Sequence, residues 1–496
     1  MLFRNFFKLK FFFLSIFLSS IFFLSIAQEN GSDDIGLLVG AMLSETPIRR
    51  DLHELCDKIG GRVTGTKANL KAVEWGFKKF EEAGVKAKKE SFNMPKMWSE
   101  KFATAEITGA AHFHPRIVSR AFSVATPAKG LSAELIFAGF GKEEDFKKLG
   151  TDIKDKFILV ETEVLTDMGR LFGEYMDAHQ IEERALSAGV KGVVYMSSRP
   201  KKLLFRHLAS KGYLNTLPLI AMARDDATRC KRIIKKGGKL NLDLKIDLET
   251  GGEYESFNVI GEIEGSIYPD EIIVIGAHLD SWGLGTGAQD NGCNVSMMID
   301  IARQMKLLGI MPKRTIRFAL WNGEEQCICG SSAYTKIHEA ELDKHLMAMS
   351  IDIGSGRIRG FFTGARPDLL EKMDEAMAPV AGFGPFENED IPIIGTDNYD
   401  FMIQGVPNLV GKHDGPPYCA DYHCESDTYD KVDFPSLKIN SAIVAAVTLG
   451  FANMENPGLK RQNREEIQKM IDQTNLAEVM KAFGFYEGWI DGTRGR

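Results

Sequence analysis

The sequence predicts an α/β protein in which helices flank a doubly wound sheet. Three observations lead there. Residues 271–292 read EIIVIGAHLDSWGLGTGAQDNG, an apolar run followed by a polar loop rich in glycine. An unbroken apolar run of this length is the pattern of a strand buried on both faces. Val295, Met298, Ile299, Ala302 and Met305 then fall at helical spacing, so one face of the following helix packs on the sheet. Comparable apolar runs recur at 315–320, 347–351 and 406–411, with helical stretches between them. Sheets wound in this way bind ligands at the carboxyl ends of their strands.

Length and composition set the outer bounds. The chain has 496 residues, enough for a catalytic core and one further domain. Hydrophobic residues make up 44% and charged residues 26%, ordinary values for a globular protein. The net charge of -7 comes without a basic stripe, which argues against a nucleic-acid partner. The local clusters Lys201, Lys202, Arg206, Lys211 and Arg229, Lys231, Arg232, Lys235, Lys236 read as solvated faces.

Residues 1–27 read as a signal peptide. Arg4, Lys8 and Lys10 are a basic start, 11–26 is apolar, and Ser25-Ile26-Ala27 offers small residues for cleavage. An uncleaved anchor is the alternative reading of the same run. No later stretch is expected to span a bilayer, which places the mature protein in the secretory path, secreted or lysosomal. Asn30-Gly31-Ser32 is a candidate glycosylation site, whereas Asn294-Val295-Ser296 is expected to be buried and unmodified. Seven cysteines leave at least one thiol unpaired in a monomer. Cys419 and Cys424 could bridge, but spacing does not fix connectivity.

In chain order, helical patterns at 33–60 and 67–83 precede a strand-rich stretch at 85–125. From 131 the pattern becomes that of a compact β-rich module, with strands at 133–140, 157–160, 192–196, 217–223 and 240–246 and a short helix at 181–188. The strand at 256–264 returns to the first sheet. Helices are expected at 331–345, 368–379 and 435–453, and a strand at 347–351. A charged helix opens the tail, 461–496, for which the sequence offers no role.

Five donor groups recur at strand ends: His278, Asp290, Glu325, Asp352 and His423. Each alone has an ordinary structural explanation. Asp290 before Asn291-Gly292 could cap a helix, and Glu324-Glu325 could sit in a first helical turn. Their shared location at one edge of one sheet is what points to a divalent metal, which imidazole and carboxylate donors suit.

The successive motifs GAHLDSW, GAQDNG, WNGEEQ, the aspartate of SIDIGSG, and His423 through Asp427-Thr428 resemble those of the two-zinc exopeptidase family. The stretches SFNVIGEIEGSIYPDEIIVIGAHLDSWG and PKRTIRFALWNGEEQ resemble its carboxypeptidase Q branch, the plasma glutamate carboxypeptidases. The likeness runs over about 40–455, more loosely between 95 and 255. It implies a mixed sheet of the zinc exopeptidase fold, with the catalytic domain over 28–125 and 247–460. Separately, Lys191-Gly192-Val193-Val194-Tyr195 after an alanine-bearing helix resembles the protease-associated domain, which implies a protease-associated-like domain inserted at 126–246; a generic α/β segment of the main domain is the alternative. Two Zn2+ per chain follow from the family likeness: His278 and Asp352 on one ion, Glu325 and His423 on the other, Asp290 between them. Asp280 would orient His278, and Glu324 would be the general base and acid. A water activated by the two zinc ions would hydrolyse a peptide substrate, and the enzyme would be a homodimer. Carboxypeptidase or dipeptidase activity is the leading expectation. An aminopeptidase, a one-zinc cyclase and a catalytically silent scaffold remain open. The sequence departs from the family at Cys293, Asn294, Cys327 and Cys329, where small residues or glycines are usual; structural roles are expected for these cysteines. Tyr418, Tyr422 and Phe401 are candidates for lining the substrate pocket.

Overall fold

The computed structural model describes residues 34–207 and 212–496. The leader expected over 1–27 and the Asn30 site lie outside them. Among the described residues the strands, in chain order, are β1 Lys86–Met94, β2 Trp98–Gly109, β3 Ile117–Ser119, β4 Leu131–Phe137, β5 Phe157–Val160, β6 Gly192–Met196 and β7 Leu219–Met222. They continue with β8 Leu240–Thr250, β9 Tyr254–Ile263, β10 Tyr268–His278, β11 Arg314–Trp321, β12 His345–Ser350, β13 Ile358–Phe362 and β14 Asn408–His413.

The first sheet has the order β1-β9-β11-β10-β12-β14-β13. Its central strands β11, β10, β12 and β14 are parallel, and the pairings of β1 with β9, β9 with β11 and β13 with β14 are antiparallel. The sheet is therefore mixed, as the family likeness implied. β10 lies at its centre, and both of its faces are covered. Ile273, Ile275 and Ala277 enter the main core with residues of helices Cys293–Leu307 and Phe434–Asn453. Ile272 and Val274 enter a second cluster with Trp321, Tyr334 and Phe401. This two-sided burial explains the unbroken apolar run, and each fully buried aliphatic side chain stabilises the fold by about 1.5–3 kcal/mol. The chain leaves β10 through helix Cys293–Leu307 to β11 on one side, then returns to β12 on the other. A crevice opens where the winding reverses, at the carboxyl end of β10. Helix Phe434–Asn453 is apolar and long enough to cross a membrane, but it is a core helix packed on β10, β11 and helix Pro367–Met377.

The second sheet has the order β2-β8-β4-β5-β6-β7-β3. It begins at Trp98 and ends at Thr250, so it takes in residues on both sides of the 126–246 stretch expected for the module. β1 and β2 are separated by three residues that include Pro95, yet they belong to different sheets. Proline cannot donate to a ladder, which makes it a natural point for the chain to change sheets.

The helix expected over 331–345 is shorter. It runs Cys329–Ile337, gives way to a 3-10 turn at Glu339–Lys344, and β12 already starts at His345. No glycine or proline marks this stop. A long-range contact accompanies it, since His338 meets Glu90 of β1 at 2.8 Å.

Gly276 tests how tightly β10 is held. A Cβ there would collide with Trp321 Nε1 and lie 2.9 Å from the Ala319 carbonyl oxygen. Gly276→Ala is expected to destabilise the protein by about 1–3 kcal/mol, the usual cost of overpacking. Thermal denaturation followed by circular dichroism should show a Tm several degrees lower; an unchanged Tm would mean that the strand yields.

Candidate metal centre

His278 is the last residue of β10, and the loop after it is fixed by groups from distant segments. The fully buried guanidinium of Arg62 donates to the carbonyls of Leu279 (2.5 Å), Thr286 (2.7 Å) and Gly287 (2.9 Å). The Asp427 carboxylate accepts from the backbone N–H groups of Gln289 (2.6 Å) and Asp290 (3.1 Å). Asp280 accepts from the Thr64 hydroxyl at 2.7 Å and from the Glu324 N–H at 3.3 Å. Its backbone oxygen lies 3.1 Å from His278 Nδ1, closer than its carboxylate at 3.7 Å.

The other donors come from neighbouring strand ends. β11 leads into Gly323, whose φ of 74° turns the chain into the short helix Glu324–Cys327. Asp352 follows β12, and His423 lies in the loop after β14. The five residues expected to share one edge do share it. His278 Nε2 is 3.0 Å from Asp290 Oδ1 and 3.5 Å from Asp352 Oδ1. His423 Nε2 is 3.1 Å from Asp290 Oδ2 and 2.8 Å from Glu325 Oε2. Asp290 thus presents one carboxylate oxygen to each imidazole. His278, Asp290 and Asp352 form one group that could hold a metal, and Asp290, Glu325 and His423 form another.

Burial and mutual charge dominate the electrostatics. Burial opposes ionisation of Asp290, but the two imidazoles outweigh it and hold the carboxyl well below its usual range. Burial would discharge His278 and His423. The facing carboxylates prevail, pushing His278 well above the ordinary imidazole value and His423 up to about 9. Burial raises Glu324 well above the usual carboxylate range and Glu325 to about 7. His278 Nε2, Asp290 Oδ2 and Glu325 Oε1 are buried without a hydrogen bond among the described residues. Buried polar atoms normally find partners. A divalent cation with nitrogen and oxygen donors fits this set.

Several contributors were not singled out from sequence. Arg62 and Thr64 lie between the helical patterns at 33–60 and 67–83. Asp427 belonged to the His423 motif but carried no assigned role. From the second sheet's module, His207 Nδ1 lies 3.1 Å from His423 Nδ1 and His207 Nε2 lies 2.7 Å from Glu174. Burial depresses His207 to about 3, so it is a neutral ring. The tail also reaches the site's margin. Arg494 pairs with both oxygens of Asp400 and donates to the carbonyls of Cys327 and Ile328, just beyond the Glu324-Glu325 pair. No sequence periodicity signals such contacts.

The pocket candidates divide. Tyr418 and Tyr422 line a cavity of about 620 Å³ together with Asp352, Phe172, Tyr175 and Phe483. Phe401 instead packs in the core on Trp321 and Tyr334. Cys327 and Cys329 form a disulfide, while Cys419 and Cys424, the pair considered from spacing, are free and buried. Cys293 and Asn294 are fully buried at the start of their helix.

Comparison with known proteins finds peptidases of the same fold. Residues 258–448 match Peptidase family M28. The chain is 29% identical over 411 residues to carboxypeptidase Q of Rattus norvegicus, covering 81% of this chain and 84% of that one. A solved structure of a peptidase M28 precursor from Shewanella amazonensis is 27% identical, with a TM-score of 0.78, over 88% of this chain and 99% of the other. The zinc aminopeptidase BSAP from Bacillus subtilis shares the fold at 22% identity and a TM-score of 0.65, over 82% of this chain and 95% of the other.

Zinc loading is expected to expel protons. His278 and His423 bind metal only as neutral imidazoles, yet the carboxylates around them hold both protonated at neutral pH. Calorimetric titration at pH 7 in two buffers of different ionisation enthalpy should therefore report net proton release. Affinity should fall as the pH is lowered. An enthalpy independent of buffer would contradict the assignment.

Proposed function

We propose that this zinc metallopeptidase, whose residues 258–448 match Peptidase family M28, is a two-zinc exopeptidase acting on dipeptides or short peptides, in the manner of carboxypeptidase Q. The observation that carries the reading is Asp290, with one carboxylate oxygen toward His278 and the other toward His423. A shared carboxylate between two donor groups suits a bridging ligand. His278 and Asp352 then complete one zinc site, and Glu325 and His423 the other.

Bound zinc supplies Lewis-acid polarisation of the scissile carbonyl and a lowered pKa for the attacking water. The protein's own residues do the rest. Glu324 is the general base and acid. Burial raises its carboxyl above the usual range, which suits a group that takes the water proton and returns it to the leaving amine. Asp280 meets both a proposed zinc ligand and the base. Its backbone oxygen holds His278 and its carboxylate holds the Glu324 backbone. The cavity beside Asp352 is mainly aromatic and apolar where Phe172, Tyr175, Tyr418 and Phe483 face it, so it suits an apolar substrate side chain. The proposal extends to the secretory path, on the leader pattern of residues 1–27, and to the homodimer that the family likeness implies.

Glu324→Gln is expected to retain zinc while kcat falls by about 10²–10⁴, the usual worth of a general base. A variant with near wild-type turnover would remove Glu324 from this role.

Direction of attack is read from one dipeptide and its amino-acetylated and carboxyl-amidated forms, with the zinc-loaded enzyme. Loss of cleavage on amidation alone is the expected carboxypeptidase result, and loss with both modifications marks a strict dipeptidase. Loss on acetylation alone would assign an aminopeptidase. No cleavage of any form, with two zinc ions bound, would favour the silent scaffold.

A further inference from the structure

We propose that Glu174 and His207, both carried by the second-sheet module, are positioning residues for His423. They orient its imidazole toward the metal, so the module completes the metal centre. The inference rests on the two-zinc reading.

The two candidate imidazole ligands are oriented by different means. His278 Nδ1 faces a backbone oxygen two residues along its own chain, that of Asp280, at 3.1 Å. His423 Nδ1 faces no such local carbonyl; its partner is His207 Nδ1 at 3.1 Å. His207 Nε2 in turn lies 2.7 Å from Glu174 Oε2, and both rings are buried. One arrangement of protons satisfies the chain of contacts. His207 carries its proton on Nε2 and donates it to the Glu174 carboxylate. Its Nδ1 lone pair then accepts the N–H of His423 Nδ1. That leaves the His423 Nε2 lone pair for the side where Asp290 and Glu325 lie, 3.1 and 2.8 Å away. Metal-bound histidines are generally held by a partner on the other ring nitrogen. Here a carboxylate acts through a second imidazole.

Glu174 is itself anchored. Burial would raise its carboxyl, but the His207 hydrogen bond and the Arg199 guanidinium at 3.6 Å hold it down to about 2. The backbone around His423 needs such support. Its φ of 55° is left-handed, a conformation uncommon for a residue other than glycine. The same module segment grips that backbone from both sides. Arg206 N–H donates to the His423 carbonyl (2.9 Å), and Glu425 N–H donates to the Leu204 carbonyl (3.1 Å). The Arg199 guanidinium donates to the Tyr422 carbonyl at 2.8 Å, and Arg116 pairs with Glu425 at 2.7 Å. His207 thus projects from a segment already locked to the loop it serves.

The test measures zinc binding by chelator competition in the full-length protein, for the wild type and for His207→Leu, His207→Gln and Glu174→Gln. In His207→Leu one ion should bind about 10- to 100-fold more weakly and the other within about twofold of wild type. His207→Gln, whose side-chain oxygen can accept the same N–H, should recover most of that loss. Glu174→Gln should weaken the same ion, by less. Circular dichroism of the zinc-free forms establishes folding, and if His207→Leu does not fold, the glutamine variants decide. Folded variants with both affinities unchanged, or with both weakened equally, would overturn the inference while leaving the two-zinc reading intact. A wild type that binds one zinc would remove both.

Discussion

The site gathers more buried negative charge than the protein alone neutralises. Asp280, Asp290, Glu325, Asp397 and Asp427 are buried, with Glu324 and Asp352 at the margin. Against them stand His278, His423 and the Arg62 guanidinium. Placing carboxylates together in a medium of low dielectric is costly unless protons or cations join them. Burial first, and the neighbouring carboxylates second, raise the pKa of Glu324, Glu325, Asp397 and Asp427. Divalent metal at the candidate donor groups would relieve this crowding directly, so binding metal would also stabilise this edge. The sheet matters chiefly because it brings these strand ends together.

Loops that carry such charge need fixed anchors, and here the anchors come from far along the chain. The strand ends supply approximate position. Arg62 then threads its guanidinium into three carbonyls of the loop between His278 and Asp290. Asp427 fixes the backbone of Asp290 itself, from the loop that also carries His423. The two halves of the proposed dizinc centre are therefore mechanically joined even before either side chain meets metal. Hydrogen bonds to charged groups are stronger than neutral ones, and buried ones are more costly to leave unmade. Such anchoring keeps ligand geometry within the tolerance that metal sites require.

How much of this was legible follows from the kind of signal each part leaves. β10 and its helix were readable because burial on two faces writes an apolar run and a helical stripe into the sequence. His278, Asp290, Glu325, Asp352 and His423 were readable because strand ends impose order on them, and because the motifs resemble a known family. The extent of the second sheet was not, since β2 belongs to it only through pairing with β8, far away in sequence. Arg62, His207 and Arg494 were illegible for the same reason. Each acts through contacts with segments far away in sequence, and a single residue has no periodicity. The cysteines show the limit most plainly: spacing left their connectivity open, and the bond joins Cys327 to Cys329 while Cys419 and Cys424 are free.

The module and the tail give the site its enclosure. The cavity beside Asp352 is faced by Phe172 and Tyr175 of helix Met168–Ser187 and by Phe483 from the tail. Tyr175 and Phe483 meet with ring centroids 5.4 Å apart, so the two elements touch over the cavity. Tyr175 also bonds through its hydroxyl to that of Tyr422, the residue before His423. The module that meets His423 at His207 therefore also lines the cavity, through Phe172 and Tyr175. The cavity of about 620 Å³ has the size of an ordinary small-ligand site. The helix that carries Glu174 also carries Phe172 and Tyr175, so one element faces the cavity and, through His207, the ring of His423.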